Sequence, residues 1–378
     1  MDQQAQLDKL ISQEHRIFGL DLIRALAVSF VFIAHLVFPL QPLGVLGVEI
    51  FFILSGYLVG GIFLDEFVAA RHYSFKHLLV FWKRRWWRTL PNYYLFLIIY
   101  GVVAYSNRGE LPGIKTLLEH LFFAQNLLWP MRGFFVVSWS LTIEEWFYLI
   151  LPLVVLSTAF FKLSKKQSFV IGCLVMASFS IIIRLTIGSH GPWDYNMRQI
   201  ALGRLDALAA GCLLAYLARY HGGLSRILKS KPVYLAGLVL LGITIGDLFQ
   251  ANYRSASTVD SDYFYLTGFG ITVCLTLGIT LIFMKVSQIH LAWLPFKSLV
   301  TNISKWSYSI YLFHPVAIIL TKQLPLASHG VAGKVIEKIL AIVLTMFVSF
   351  LIYEYFEKVA LRMRPAPLDA SGSPSKNS

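Results

Sequence analysis

Ten apolar runs divide the chain, at residues 20 to 40, 44 to 64, 91 to 106, 136 to 161, 168 to 188, 199 to 218, 232 to 251, 262 to 286, 306 to 325 and 334 to 358. Each is close to the roughly 20 residues an α-helix needs to cross a hydrocarbon core. The pattern predicts an all-α, polytopic integral membrane protein with about ten transmembrane helices. The first run follows a polar stretch holding Asp2, Asp8, Lys9, Glu14 and Arg16 and has no A-x-A-like exit, so it is expected to be a retained span and not a cleaved signal. Most connections are short. Three are long enough to carry structure of their own: 65 to 90, 107 to 135 and 287 to 305. Within the second, LPGIKTLLEHLFFAQNLL has the apolar spacing of a helix lying at the membrane interface. One membrane domain is expected over 1 to 363. A disordered cytoplasmic tail, 364 to 378, follows from the Pro- and Ser-rich RPAPLDASGSPSKNS. No internal repeat of the transporter kind is evident.

Composition agrees with the pattern. With 57% hydrophobic and 14% charged residues and a mean hydropathy of +0.65, the chain has too little polar surface to cover a soluble globule. The net charge of +13 could suggest a nucleic-acid partner. Its distribution argues against one, because roughly 22 Lys and Arg fall in one set of loops and 8 in the other, as the positive-inside rule requires with both termini cytoplasmic. The excess is topological, and the partner it implies is membrane lipid. Cys173, Cys212 and Cys274 lie far apart in apolar segments and offer neither a metal-ligand spacing nor a disulfide framework.

Ionisable residues inside these runs carry the candidate chemistry. Arg24 and His35 stand eleven residues apart in LDLIRALAVSFVFIAHL, which puts them on one helical face about 16 Å apart and predicts that both face one cavity. Charges at such depth are paired or line a hydrated path, and histidine is the side chain suited to moving protons near neutral pH. Glu49, in GVLGVEIFFILSGYLVGG, lies at a depth similar to His35, where it could fix the imidazole tautomer and stabilise its protonated form. A purely structural His35 to Glu49 pair is the alternative. Ser140 and Glu144 share a face of VSWSLTIEEWFYLILP, while Glu145 points elsewhere. An interfacial anchor is the alternative for that glutamate pair. In FWKRRWWRTLP, Arg85 and Arg88 are helix neighbours, as are Arg84 and Arg88. Such clustered guanidinium forks suit phosphate oxygens, unless they form an arginine and tryptophan belt at the headgroups. Arg204 and Asp206, two apart, cannot face each other on a helix, so each needs a partner on another helix. Tyr308, Tyr311 and His314 in SYSIYLFHP suggest structural roles, with His314 capping carbonyls freed by the following proline.

Taken in order, LDLIRALAVSFVFIAH, GVEIFFILSGYL, RRWWRTLP, WSLTIEEWFYLILP and SYSIYLFHP resemble the bacterial membrane-bound acyltransferase family 3 over nearly the whole chain. The resemblance implies functional roles for Arg24, His35, Arg85, Arg88, Ser140 and Glu144. Three positions depart from the usual pattern: Glu49 stands for Asp, Trp146 for Gln, and YFEKVALRM lacks the proline after EK, which leaves Glu357 without an assigned role. Some members carry an esterase-like carboxy-terminal domain, and none is expected within these residues.

The implied function is transfer of an acyl group, most often acetyl, from cytoplasmic acyl-coenzyme A to a hydroxyl of a glycan or lipid-linked saccharide at the outer face of the bacterial inner membrane. Acetyl-CoA or another acyl-CoA is then a cosubstrate, with no permanently bound cofactor and no metal. Arg24, Arg85 and Arg88 would bind the donor, His35 would act as base or transient acyl acceptor with Glu49 or Glu144 orienting it, and Ser140 would bind substrate. A proton-coupled transporter is the competing class, since intramembrane His, Glu and Arg also build proton relays.

Overall fold

The structure, a computed structural model, describes residues 17–131, 133–158, 161–187, 197–254, 261–290, 294–368 and 373. The polar stretch before the first run and most of the expected tail lie outside the described residues.

Among the described residues every apolar run folds as helix. The first forms α1 (Phe18–Leu36), opened by Asp21 in its first turn, where a carboxylate opposes the positive end of the helix dipole. Asp21 also accepts a hydrogen bond from the Ser304 hydroxyl at 2.7 Å, which ties the start of α1 to a late helix. The second run is one continuous rod: α2 (Gln41–Ser55), a π turn (Gly56–Gly60) and α3 (Gly61–Ala69). Glycines set its packing. A Cβ at Gly56 would overlap the Leu208 carbonyl, and one at Gly211 the Ile53 carbonyl, so two backbones meet there with nothing between them.

The third run is longer than its apolar part predicts. α4 spans Phe75–Arg108, so most of the connection expected over 65 to 90 is the polar first half of a 34-residue helix. A capping box between Ser74 and His77 starts it, and Gly109, at φ 75°, ends it in the left-handed conformation that glycine adopts without penalty. The short helix α5 (Ile114–Leu121) covers only the first part of the expected interface helix. Then follow α6 (Trp139–Thr158), α7 (Lys165–Ile187), α8 (Leu205–Tyr220), the short α9 (Gly222–Leu228), α10 (Lys231–Arg254), α11 (Ser261–Val286), α12 (Leu294–Lys322), α13 (Gly330–Ile352), a π turn (Tyr353–Glu357) and α14 (Lys358–Arg362). α12 likewise begins inside a segment expected to be a connection. Eight of these helical stretches are long and apolar enough to cross a membrane, among the described residues. The helices α4 and α12 also carry apolar runs, which begin well after the helix start.

α1 packs between α2 and α12, and α8 lies against α2, its π turn and α7. Prolines inside helices free carbonyls that side chains then satisfy. Pro152 cannot donate to Tyr148, whose carbonyl accepts the Trp82 indole N–H at 3.1 Å and joins α4 to α6.

Candidate active site

Arg84, Arg85 and Arg88 sit in the polar half of α4, and the helix turn directs them differently. Arg85 donates to Glu144 of α6 at 3.1 Å and lies 4.3 Å above the Tyr148 ring. The Tyr148 hydroxyl donates to the same carboxylate oxygen at 3.2 Å. Glu144 is therefore the counterion of Arg85. Arg84 donates to the Pro365 carbonyl at 2.6 Å. Arg88 makes no ion pair with a described side chain and faces a cavity.

That cavity has a volume of about 310 Å³, in the range of small-ligand sites. Helices α1, α2, α4, α6 and α12 enclose it. One end holds Arg24, Arg84, Arg85, Arg88 and Arg364 with Glu66, Glu144 and Glu357. The middle is apolar, walled by Val48, Phe51, Phe52 and Leu141. The other end presents Ser140 and Tyr311, whose hydroxyls lie 2.6 Å apart. Both hydroxyls also reach the Val137 carbonyl, Tyr311 at 3.0 Å and Ser140 at 3.5 Å, so either can supply the proton between them. Ser140 and Tyr311 thus place two hydroxyls at this end of the cavity.

His35 lies just beyond this end, near the last turn of α1. Its Nδ1 meets the Val31 carbonyl at 2.8 Å, which makes Nδ1 the protonated nitrogen and leaves Nε2 as the basic one. The His314 ring stands edge-on to it at 4.9 Å between centroids, and Tyr311 packs on His314 at 6.1 Å. His314 Nδ1 lies on the Ile310 carbonyl at 3.1 Å, one residue before the Tyr311 carbonyl that Pro315 frees, and its buried Nε2 has no hydrogen-bond partner.

The structure thus brings together Arg24, Arg85, Arg88, Ser140 and Glu144, and corrects three sequence expectations. Arg24 lines the cavity, whereas His35, on the same helix, does not and is separated from it by Tyr311 and His314. Glu49 does not orient His35. It is fully buried against α8, where one carboxylate oxygen accepts from Arg204 and the other has no partner. Equal depth along the membrane normal was the reason to pair Glu49 with His35, and it says nothing of the angle around α2. Arg204 and Asp206 do approach each other, at 4.0 Å, because Arg204 belongs to the 3₁₀ turn (Ala201–Arg204) before α8 and not to the α-helix. Each also has the expected partner on another helix: Glu49 for Arg204, and Arg184, at 2.7 Å, for Asp206.

Residues 17–354 match the family model of an acyltransferase domain, the acyltransferase 3 type. The chain belongs to the acyltransferase 3 family. Its relatives include O-acetyltransferase OatA of Staphylococcus aureus, 29% identical over 372 residues that cover 93% of this chain and 58% of that protein. The putative peptidoglycan O-acetyltransferase YrhL of Bacillus subtilis is 28% identical, over 92% of this chain and 55% of its own. Peptidoglycan O-acetyltransferase OatA of Listeria monocytogenes is 28% identical, over 90% and 55%. The chain spans somewhat more than half the length of these relatives. No solved structure matches it.

Within this acyltransferase 3 chain, sequence reasoning passed over four cavity residues. Glu66 was missed although it continues the face of Ser55, Leu58, Val59 and Ile62 at helical spacing. Glu357 had been left without a role, and it accepts from Ser309 at 3.3 Å while lying in the field of Arg88 and Arg24. Arg364 had been assigned to the tail. Tyr311 was noted, but its hydroxyl contact with Ser140 links segments 171 residues apart and has no local signal.

Proposed function

We propose that this protein is a membrane O-acyltransferase that moves an acyl group, most often acetyl, from cytoplasmic acyl-CoA to a hydroxyl of a glycan or lipid-linked saccharide at the outer face of the bacterial inner membrane. One observation carries this reading: a single cavity with a guanidinium-rich mouth, an apolar middle and a hydroxyl-lined end that abuts two histidines. The mouth suits the phosphates of the donor, and the apolar middle suits the thioester arm. The names of the relatives, O-acetyltransferases and in two cases peptidoglycan O-acetyltransferases, support the acetyl group and the saccharide acceptor.

Chemically, the acceptor hydroxyl gives its proton to His35 Nε2 as its oxygen attacks the thioester carbonyl. The C–S bond breaks, the acyl group stays on the acceptor oxygen, and the proton passes to the leaving thiolate. In the two-step variant His35 Nε2 attacks the thioester carbonyl and takes the acyl group as the C–S bond breaks and the thiolate leaves; the acceptor oxygen then attacks that carbonyl, the C–N bond breaks, and the hydroxyl proton ends on the thiolate. Both demand that Tyr311 and His314 yield, because they stand between the cavity and His35. Arg88, which has no ion pair among the described residues, suits the donor phosphates better than Arg85, whose charge Glu144 already meets, and Arg24 lines the same mouth.

The test uses purified protein in liposomes with labelled acetyl-CoA and a saccharide acceptor. Donor-dependent acylation that His35→Ala abolishes, in a variant that still folds, supports the reading. Full turnover by His35→Ala removes His35 from catalysis, and flux of unmodified solute without any donor replaces the enzyme by a transporter.

A further inference from the structure

Among the described residues that line the cavity, five arginines face three glutamates. In a deeper group Glu357 lies in the field of Arg88 and Arg24. In an outer group Glu66 lies in the field of Arg84 and Arg364. Arg85 is matched separately by Glu144 at 3.1 Å. Arg84 precedes Arg88 by four residues of α4, one turn or about 6 Å nearer the helix start, so the two groups follow one another along the cavity. Arg364 comes from beyond α14, ten residues past the end of the family match. The segment that carries it is fastened by the hydrogen bond from Arg84 to the Pro365 carbonyl.

We propose that these are two separate anion sites, and that Arg364 with Arg84 reads a second, outlying phosphoryl group of the donor. This rests on the acyl-CoA reading above and adds to it which group is recognised at the rim. Coenzyme A carries a pyrophosphate near its arm and a phosphomonoester on its ribose. With the arm directed inward, the pyrophosphate falls to Arg24 and Arg88 and the monoester to Arg84 and Arg364. The outer pair is crowded by like charge. Burial and the neighbouring guanidiniums of Arg84, Arg88 and Arg85 lower the Arg364 pKa to about 10, with Glu66 alone opposing them. The Arg364 Nε is buried with no hydrogen-bond partner. A dianionic phosphomonoester at this point would answer both deficits through charge-assisted hydrogen bonds.

The experiment compares binding of coenzyme A and of 3′-dephospho-coenzyme A to the full chain in detergent, for the native protein, R364A, R364K and R84A. The native protein should prefer coenzyme A by about tenfold, the worth of one lost charge-assisted contact. R364A and R84A should bring the two affinities together by weakening coenzyme A alone. Undiminished binding of the dephospho compound then certifies that the variants are folded. R364K should keep part of the preference, having charge without the fork. A native protein with equal affinity for both ligands overturns the inference and leaves the acyl-CoA reading intact. A preference that survives in both R364A and R84A does the same. A native protein that binds neither ligand removes the acyl-CoA reading itself.

Discussion

Replacing Arg204 by methionine should unfold this protein more readily than any single change in the cavity. The guanidinium is fully buried, its partner Glu49 is 1% exposed at the side chain, and no other cation is paired with that carboxylate among the described residues. Removing one member of such a pair costs about 3–5 kcal/mol, because a bare charge remains in a medium that cannot solvate it. Glu49→Gln should cost less, toward the lower figure. It leaves Arg204 with Asp206 at 4.0 Å, a separation worth about 4 kcal/mol at an effective dielectric near 20, although Asp206 is already engaged by Arg184. Methionine at both Glu49 and Arg204 removes both charges and should recover most of the loss. Thermal unfolding of the four proteins in one detergent should give the order native, double variant, Glu49→Gln, Arg204→Met. Acyl transfer measured in parallel as a function of pH separates structure from catalysis. If Glu49→Gln melts with the native protein and shifts the pH profile of transfer, Glu49 acts on His35 and the assignment to Arg204 is wrong.

Arg88→Ala should weaken coenzyme A binding by tenfold or more while Arg88→Lys weakens it less, since Arg88 lines the cavity and has no ion pair among the described residues; equal affinities by titration calorimetry would refute the phosphate role. Gly56→Val should destabilise by about 1–3 kcal/mol or more, because its side chain must displace the Leu208 backbone, and a native melting temperature would contradict the packing. His120 of α5 is buried, and burial lowers its pKa below the ordinary 6.5 despite opposing contributions from the Thr116 carbonyl and Glu119. The folded state therefore binds fewer protons than the unfolded chain once pH drops below 6.5. Its contribution to stability is complete above that pH and declines as the solution is acidified toward the folded pKa. The melting temperature of the native protein should accordingly fall more between pH 7.5 and pH 5.5 than that of His120→Gln, and parallel slopes would refute the assignment.

Much of the architecture could be read from the chain because bilayer crossing imposes length and apolarity on each helix separately. Both are local properties, so all ten runs and the cluster of arginines before Pro91 were visible. Helix starts were less so: α4 and α12 begin in segments that mix charged and apolar residues without a membrane-length run, and only the Ser74 capping box marks the first of them. Partners of buried charges depend on angle as well as depth. For Glu49 the angular signal was present, since Glu49, Ile53, Gly56 and Gly60 recur on one helical face, and glycines mark the face that meets another backbone. Glu49 belongs with those glycines and hence with α8, not with α1. The contact of Tyr311 with Ser140 and the arrival of Arg364 at the mouth join distant parts of the chain and had no counterpart in local pattern.

The rod formed by α2, its π turn and α3 is a shared wall. Glu49, Gly56, Gly60 and Gly61 occupy the side toward α8, while Phe51, Ser55 and Glu66 occupy the side toward the cavity. A disturbance of the ionic lattice behind this wall will be felt in front of it, through the tilt of one helix and with no shared atom. Loss of donor affinity on altering Arg204 would thus be no proof that Arg204 touches the donor, and kinetic maps of this protein should be drawn with that partition in mind.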